Sequence, residues 1–239
     1  MFYFQRSSIL PFNLFLIAAA VIPALFLMLR VYRSDRLEAE SVALLWRLAR
    51  AGVSAALLAI VSERILGLLL EKTVQNETLY QILLYFVVVA FSEEGAKYLL
   101  LHIRTWKSEE FNCQYDGVVY AVFISLGFAL WENISYVLHY GLSIALIRAV
   151  TAIPGHTCFG VFMGVFYGLA RRAENQKRFS EAKTYRGLSI LVPMALHGAY
   201  DYIATVAAST WTFVAFIAVL FLVSYRLIVR MSKTDQFIA

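Results

Sequence analysis

Residues 90–97, Ala-Phe-Ser-Glu-Glu-Gly-Ala-Lys, place two adjacent carboxylates and a lysine in the middle of an apolar segment of about residues 82–103. If this segment crosses a bilayer, Glu93, Glu94 and Lys97 lie near the midplane. At that depth the insertion free energy of each ionised side chain is unfavourable by about 2.5–3.5 kcal/mol. Ionisable groups at that depth usually serve a function and face the protein interior. The stretch therefore predicts a membrane helix that carries part of a buried polar site.

The composition is that of a membrane protein. Of the 239 residues, 61% are hydrophobic and 15% are charged, and the mean hydropathy is +0.69. An ordinary soluble domain is about 45–50% apolar and about 25% charged. The length allows about seven spans of roughly 20 residues. We predict an all-α polytopic bundle that forms one integral-membrane domain over residues 1–239.

The apolar runs alternate with polar connections. The predicted spans are approximately residues 9–29, 51–70, 82–103, 121–142, 146–167, 187–208 and 211–229. The first run is too long for a signal peptide and lacks a convincing small-residue cleavage site, so we expect it to be retained. The polar connections are expected at residues 30–50, 71–78, 102–116 and 171–186.

The distribution of lysine and arginine predicts the orientation. Sixteen of the 21 basic residues lie in the connections 30–50, 102–116 and 171–186 and in the tail from Arg226. These connections alternate along the chain and so share one side, which the positive-inside rule makes cytoplasmic. The other side has little more than Arg6 and Lys72. We therefore predict an N-terminus outside the cell and a cytoplasmic C-terminus. The basic residues form no soluble module, so we expect no nucleic-acid partner.

Four further ionisable residues lie within apolar runs, and three of them fall near the middle of their predicted spans. Glu132, His156 and His197 each have a depth similar to that of Glu93. His197 and Asp201 are four residues apart, a spacing that suits two ligands of one metal or an aspartate that orients a histidine. The common depth predicts that these side chains meet in one site.

Each position also has a structural interpretation. Glu93 and Lys97 share a helix face and could simply neutralise each other, and a single buried histidine is often only a hydrogen-bonded core residue. Taken together, two histidines and several carboxylates could hold a zinc ion and leave a carboxylate to activate water. A carboxylate with a histidine could also activate water without a metal.

The polar positions follow a fixed order on successive spans. They are Glu-Glu-x-x-Lys at 93–97, Phe-x-x-x-Glu at 128–132, Pro-Gly-His at 154–156 and His-x-x-x-Asp at 197–201. This order resembles the PrsW family of intramembrane proteases over residues 82–208, which we take as the catalytic core. The family is distantly similar to the CAAX prenyl endopeptidases and the bacteriocin-immunity membrane proteins. In those proteins a histidine and an asparagine stand where this chain has Glu132 and Asp201.

The resemblance implies hydrolysis of a peptide bond in a membrane-anchored protein, with single-pass anti-sigma factors as the type of substrate. By position, Glu93 and Glu94 are the implied catalytic carboxylates. We assign Glu93 as the general base, Lys97 as the partner of Glu94, and Asp201 as the partner of His197. The predicted metal ligands are Glu132, His156 and His197, and the predicted ion is Zn²⁺.

Two other classes of protein have similar sequence features. A proton-coupled transporter or channel also places Glu, His and Lys at the midplane, but the two halves of the chain show no inverted-repeat symmetry. A non-catalytic scaffold or immunity protein of the same fold is the other alternative. In every case the location is a cell membrane, and a bacterial or archaeal cytoplasmic membrane fits best. The sequence carries no signal for an oligomeric state.

Overall fold

The structure is a computed structural model that describes residues 9–206 and 209–238, and in these residues it contains helices and no β-strand. The helices are α1 (Ile9–Tyr32), α2 (Val42–Thr73), α3 (Glu77–Leu83), α4 (Ala90–Thr105), α5 (Asp116–Tyr140), α6 (Leu142–Val150), α7 (Ala152–Asn175), α8 (Phe179–Thr205) and α9 (Thr210–Lys233). A π-helical segment, Leu84–Val89, joins α3 to α4. The all-α prediction is confirmed.

Each predicted span corresponds to one long helical segment, with α3 to α4 and α6 to α7 counted as one each. Arg6 and the last two residues of span 187–208 lie outside the described residues. Among those described, five helices are long and apolar enough to cross a membrane, namely Val42–Thr73, Glu77–Thr105, Asp116–Tyr140, Leu146–Asn175 and Thr210–Lys233. Helix α1 contributes a shorter apolar helix, Ile17–Tyr32, and α8 does not reach the same apolarity. The chain is a multi-pass membrane protein.

The polar connections are shorter than predicted. Helix α2 begins at Val42 instead of near residue 51, and the connection between α7 and α8 comprises only Gln176–Arg178 instead of residues 171–186. Hydropathy marks where a helix leaves the bilayer, whereas Arg, Lys, Glu and Ala are good helix formers that continue it into water. The helices therefore extend past their apolar parts.

Helices α5 and α7 form the centre of the bundle, and small residues bring their backbones together. A Cβ added at Gly164 of α7 would lie 2.4 Å from the Gly117 carbonyl oxygen of α5. Further along α5, a Cβ added at Gly127 would lie 2.0 Å from the Ala49 carbonyl oxygen of α2. Small residues allow this close packing of membrane helices. The packing fixes α5, and therefore Glu132, relative to α7 and α2.

The basic connections meet at one end of the bundle. The contacts between them are Asn112 Nδ2 to Glu38 Oε2 at 3.0 Å, Tyr115 N to Asp235 Oδ1 at 2.8 Å, and Asn175 Nδ2 to the Ile238 carbonyl at 3.3 Å. These contacts link the connection after α1 to the one after α4, and they link the latter and the end of α7 to the C-terminal segment. The grouping supports the predicted alternation of sides, and the assignment of this end to the cytoplasm stays a prediction.

A cysteine at Gln176 tests that orientation. Gln176 is exposed at the end with the basic connections, and the native Cys113 and Cys158 are buried. We expect Gln176→Cys to resist an impermeant thiol reagent in intact cells and to react after permeabilisation. Gln75→Cys, exposed in the turn between α2 and α3, is the matched control and should react in intact cells. The reverse pattern would overturn the orientation.

Candidate functional site

Lys97 lies at the centre of a buried polar cluster. Its Nζ is 2.8 Å from Glu94 Oε1, 3.2 Å from Glu93 Oε2 and 3.2 Å from His156 Nδ1. The ammonium also lies 3.9 Å from the centroid of the Phe128 ring. Because Lys97 is fully buried, these contacts replace its hydration. One side chain of α4 is thereby joined to α5 and α7.

His156 links Lys97 to Glu132. An ammonium group can only donate hydrogen bonds, so His156 Nδ1 is the acceptor and its Nε2–H is the donor. Nε2 lies 2.9 Å from Glu132 Oε2. This arrangement sets the tautomer of the ring and connects the centres of α4, α5 and α7.

His197 completes the cluster from α8. Its Nδ1 is 2.8 Å from Glu94 Oε1, and its Nε2 is 3.3 Å from Asp201 Oδ2 and 3.8 Å from Glu93 Oε2. Carboxylates thus face both ring nitrogens. The structure therefore brings together all seven residues that the sequence singled out, within one network of direct contacts.

A cavity of about 530 Å³ lies beside this network, within the range of about 300–1,000 Å³ that is usual for ligand sites. Its polar lining residues are Glu63, Tyr85, Glu93, Glu132, Ser135, Tyr136, Arg148, His156, His197, Tyr200, Asp201 and Thr205. Glu94 and Lys97 do not line it. Glu94 is fully buried, and its Oε2 has no hydrogen-bond partner among the described residues. The two adjacent glutamates thus have different surroundings.

Two charged residues of the cavity were not among the predicted site residues. Arg148 of α6 lies 3.0 Å from Glu132 Oε2, donates to Asn133 Oδ1 at 3.0 Å, and stacks 4.0 Å from the Tyr136 ring centroid. Glu63 of α2 lines the cavity wall. The sequence did contain a sign of this role, because Arg148 lies inside the apolar stretch 142–150. Its partner Glu132 is distant in the sequence, so the pairing could not be predicted.

The donor set fits a metal ion. Glu93, Glu94 and His156 each offer an atom within 4.8 Å of the others, and all three residues are buried. This set shares only His156 with the predicted ligands. In the cluster, the four carboxylates of Glu93, Glu94, Glu132 and Asp201 face two permanent cations, Lys97 and Arg148, which leaves two negative charges. Protons or a divalent cation must balance them because uncompensated buried charge is costly.

Fold and site define a multi-pass α-helical membrane protein with a Glu/His cluster of hydrolytic type beside an internal cavity. Residues 40–228 match the model of the family described as "PrsW family intramembrane metalloprotease". The chain belongs to this family, and it is a protease of the cell membrane. Its substrate is accordingly a membrane protein.

Named relatives agree with this assignment. The chain is 32% identical to Protease PrsW of Bacillus subtilis (strain 168) over 198 residues, which is 83% of this chain and 86% of the relative. It is 31% identical to Protease PrsW of Clostridioides difficile (strain 630) over 195 residues, 80% of this chain and 79% of the relative. No solved structure matches the chain. The family assignment removes the transporter and scaffold alternatives.

Proposed function

We propose that the cavity is the active site of this membrane protease and that Glu93 is its general base. The observation that carries the proposal is the contrast between the adjacent glutamates. Glu93 lines the cavity, whereas Glu94 is sealed behind it between Lys97 and His197. A general base must come within hydrogen-bond reach of the proton it removes. Only Glu93 of the pair can meet a water molecule in the cavity.

Each residue of the cluster has a separate role in peptide hydrolysis. Glu93 accepts a proton from the water that attacks the carbonyl carbon, and the proton passes to the amide nitrogen as the C–N bond breaks. His197 lies between Glu93 and Asp201 and contacts Glu94 through its other ring nitrogen, so it positions the carboxylates beside the reacting water. Asp201 orients His197. Lys97 fixes both glutamates and His156 without facing the cavity.

The proposed metal is zinc, which takes nitrogen and oxygen ligands of this kind. Two ligand sets are proposed, Glu132, His156 and His197 from the sequence and Glu93, Glu94 and His156 from the geometry. Only the first set leaves Glu93 free to act as the general base. A bound zinc ion polarises the peptide carbonyl and makes water more acidic. Lys97 Nζ contacts the same three residues as the geometric set, so in that set the ammonium has to move when the ion binds.

His156 belongs to both ligand sets, so its replacement tests for the metal. We expect the purified protein to contain about one zinc ion per chain, as one mononuclear site requires, and His156→Ala to contain none. His139→Ala is the matched control, since His139 is exposed and contacts Ser135 of its own helix. Elemental analysis of the detergent-purified proteins gives the result. A proteolytically active preparation without metal would exclude zinc.

We further propose that the substrate is a single-pass membrane protein of the anti-sigma-factor type. This proposal rests on the family resemblance of the motifs at 93–97, 128–132, 154–156 and 197–201. The cavity supports it because the lining combines carboxylates and histidines with aromatic side chains, among them Phe128, Trp131 and Phe159. Such a lining can receive an apolar segment next to the catalytic groups.

Arg148 should position Glu132. Arg148→Met removes the cation beside the half-buried Glu132, which keeps only its hydrogen bond to His156, and loss of a hydrogen bond to a charged group costs about 1.5–3 kcal/mol. We expect a lower unfolding temperature and reduced cleavage, with partial recovery in Arg148→Lys, which keeps the charge but loses the planar fork. Arg64→Met is the control, since Arg64 is exposed and forms no ion pair in the described part of the chain. Full activity in Arg148→Met would contradict this role.

A further inference from the structure

A second carboxylate cluster lies at the opposite end of α5. Asp35 and Glu40 from the connection after α1 and Asp116 at the start of α5 each place an oxygen within 4.8 Å of the others. Asp116 is 1% exposed and Glu40 is 7% exposed. Because Glu132 lies sixteen residues after Asp116, the cluster is about 24 Å along the helix from the catalytic centre. The two sites are physically separate.

Oxygen atoms in this cluster lack donors. Asp116 Oδ2 accepts two backbone N–H groups, from Asn112 and Cys113 at 3.0 and 2.6 Å, but its buried Oδ1 has no partner. Both carboxylate oxygens of Asp35 are also buried without a partner. Glu40 Oε2 accepts the Tyr120 hydroxyl at 2.7 Å. An unpaired buried acceptor is rare in a native protein and points to an ion or a water.

Positive charge is missing from the cluster. Among the described residues, no Lys, Arg or His nitrogen forms an ion pair with Asp35, Glu40 or Asp116, although arginines lie nearby in the sequence. Three ionised carboxylates would place three negative charges in this cluster, so either protons or an added cation must balance them.

We propose that Asp35, Glu40 and Asp116 bind a divalent cation at this second site. The donors are all oxygen, which favours a hard cation such as Mg²⁺, Ca²⁺ or Mn²⁺ over zinc. The unpartnered Asp116 Oδ1 and Asp35 oxygens supply free lone pairs for the ion. A proton shared between two of the carboxylates is the competing explanation for the unpaired oxygens. Titration with a metal ion distinguishes a bound cation from a shared proton.

The cation would tie two segments together, and a third packs against them. Asp35 and Glu40 belong to the connection 33–41, and Asp116 begins α5. The C-terminal segment lies against the same place, because Tyr115 N donates to Asp235 Oδ1 at 2.8 Å and Gln114 N donates to the Gln236 carbonyl at 3.1 Å. The role is structural, since the ion sits far from the cavity.

Manganese is a suitable probe because its electron paramagnetic resonance signal reports bound ion directly. The full chain is purified in detergent, stripped of metal and titrated with Mn²⁺. Because the stripped catalytic cluster can also bind Mn²⁺, the titration is made in the His156→Ala background, where we expect one bound Mn²⁺ that the added Asp116→Asn removes. Asparagine keeps an acceptor for the two backbone N–H groups, so Asp116→Asn should fold, and Asp35→Asn is the second variant if it does not.

Thermal unfolding gives an independent result. At a hundredfold excess of Mn²⁺ over Kd, we expect the midpoint of His156→Ala to rise by about 5–10 °C and that of His156→Ala/Asp116→Asn to stay unchanged. Two results would overturn the proposal. One is equal Mn²⁺ binding by His156→Ala with and without either asparagine substitution. The other is no Mn²⁺ bound by His156→Ala, and a midpoint that rises on acidification would then show a shared proton.

Discussion

Glu93→Gln should abolish proteolysis while the protein stays inserted and abundant. The substitution keeps the shape and hydrogen-bonding capacity of the side chain but removes the group that accepts a proton from water. Loss of a positioned base costs about 10²–10⁴-fold in turnover. Cleavage of a membrane substrate, normalised to the amount of protease in the same membranes, measures the effect.

The control for this prediction is Glu77→Gln. Glu77 is the first residue of α3 and is exposed, so its replacement should leave cleavage unchanged. Glu94→Gln provides a second comparison, because Glu94 does not face the cavity but holds Lys97 and His197. We expect it to be severely impaired with a lower unfolding temperature. Wild-type cleavage by Glu93→Gln would show that Glu93 is not the base.

Lys97→Met should cause the largest loss of stability. Lys97 is fully buried and compensates Glu93 and Glu94. Methionine has a similar volume, so the change mainly removes the charge and leaves the carboxylates unpaired. Breaking a buried ion pair on one side costs about 3–5 kcal/mol. Thermal or denaturant unfolding in detergent measures the difference.

The double variant Lys97→Met/Glu94→Gln distinguishes a charge effect from a packing effect. It removes one positive and one negative charge, and we expect it to recover much of the lost stability. It should not recover proteolysis, because Glu93 and His156 lose the ammonium that fixes them. If Lys97→Met unfolds at the wild-type temperature, the buried ion pair does not stabilise the bundle. If the double variant is fully active, Lys97 does not organise the site.

Hydropathy and the intramembrane charges predicted the class of protein and the residues that meet in the cluster. A charged group in the bilayer core must find a partner, so Glu93, Glu132, His156 and His197 could be expected to converge from their depth alone. The ends of the helices could not be predicted in this way. Arg172 and Lys183 lie in the predicted connection 171–186 and yet belong to α7 and α8, because a helix satisfies its own backbone in water as well as in lipid.

Contacts between neighbouring helices were beyond the sequence pattern. The pairing of Arg148 with Glu132 depends on how the short helix α6 turns back along α5. Lys97 contacts both Glu94 of its own helix and His156 of α7. The second contact depends on the packing of α7 against α4. The second cluster could not be predicted either. Its residues lie in the predicted polar connections, where carboxylates are expected to face water, and they are Asp35, Glu40 and Asp116.

The most direct test of the catalytic assignment compares membrane proteomes. Cells that carry the wild-type protein or Glu93→Gln at equal abundance are analysed for membrane proteins that accumulate uncut and for chain termini created by cleavage. We predict that at least one single-pass membrane protein is intact in the Glu93→Gln cells, and that its cleaved form appears only with wild type. Identical termini and identical full-length proteins in the two samples would contradict the assignment of Glu93 as the catalytic base.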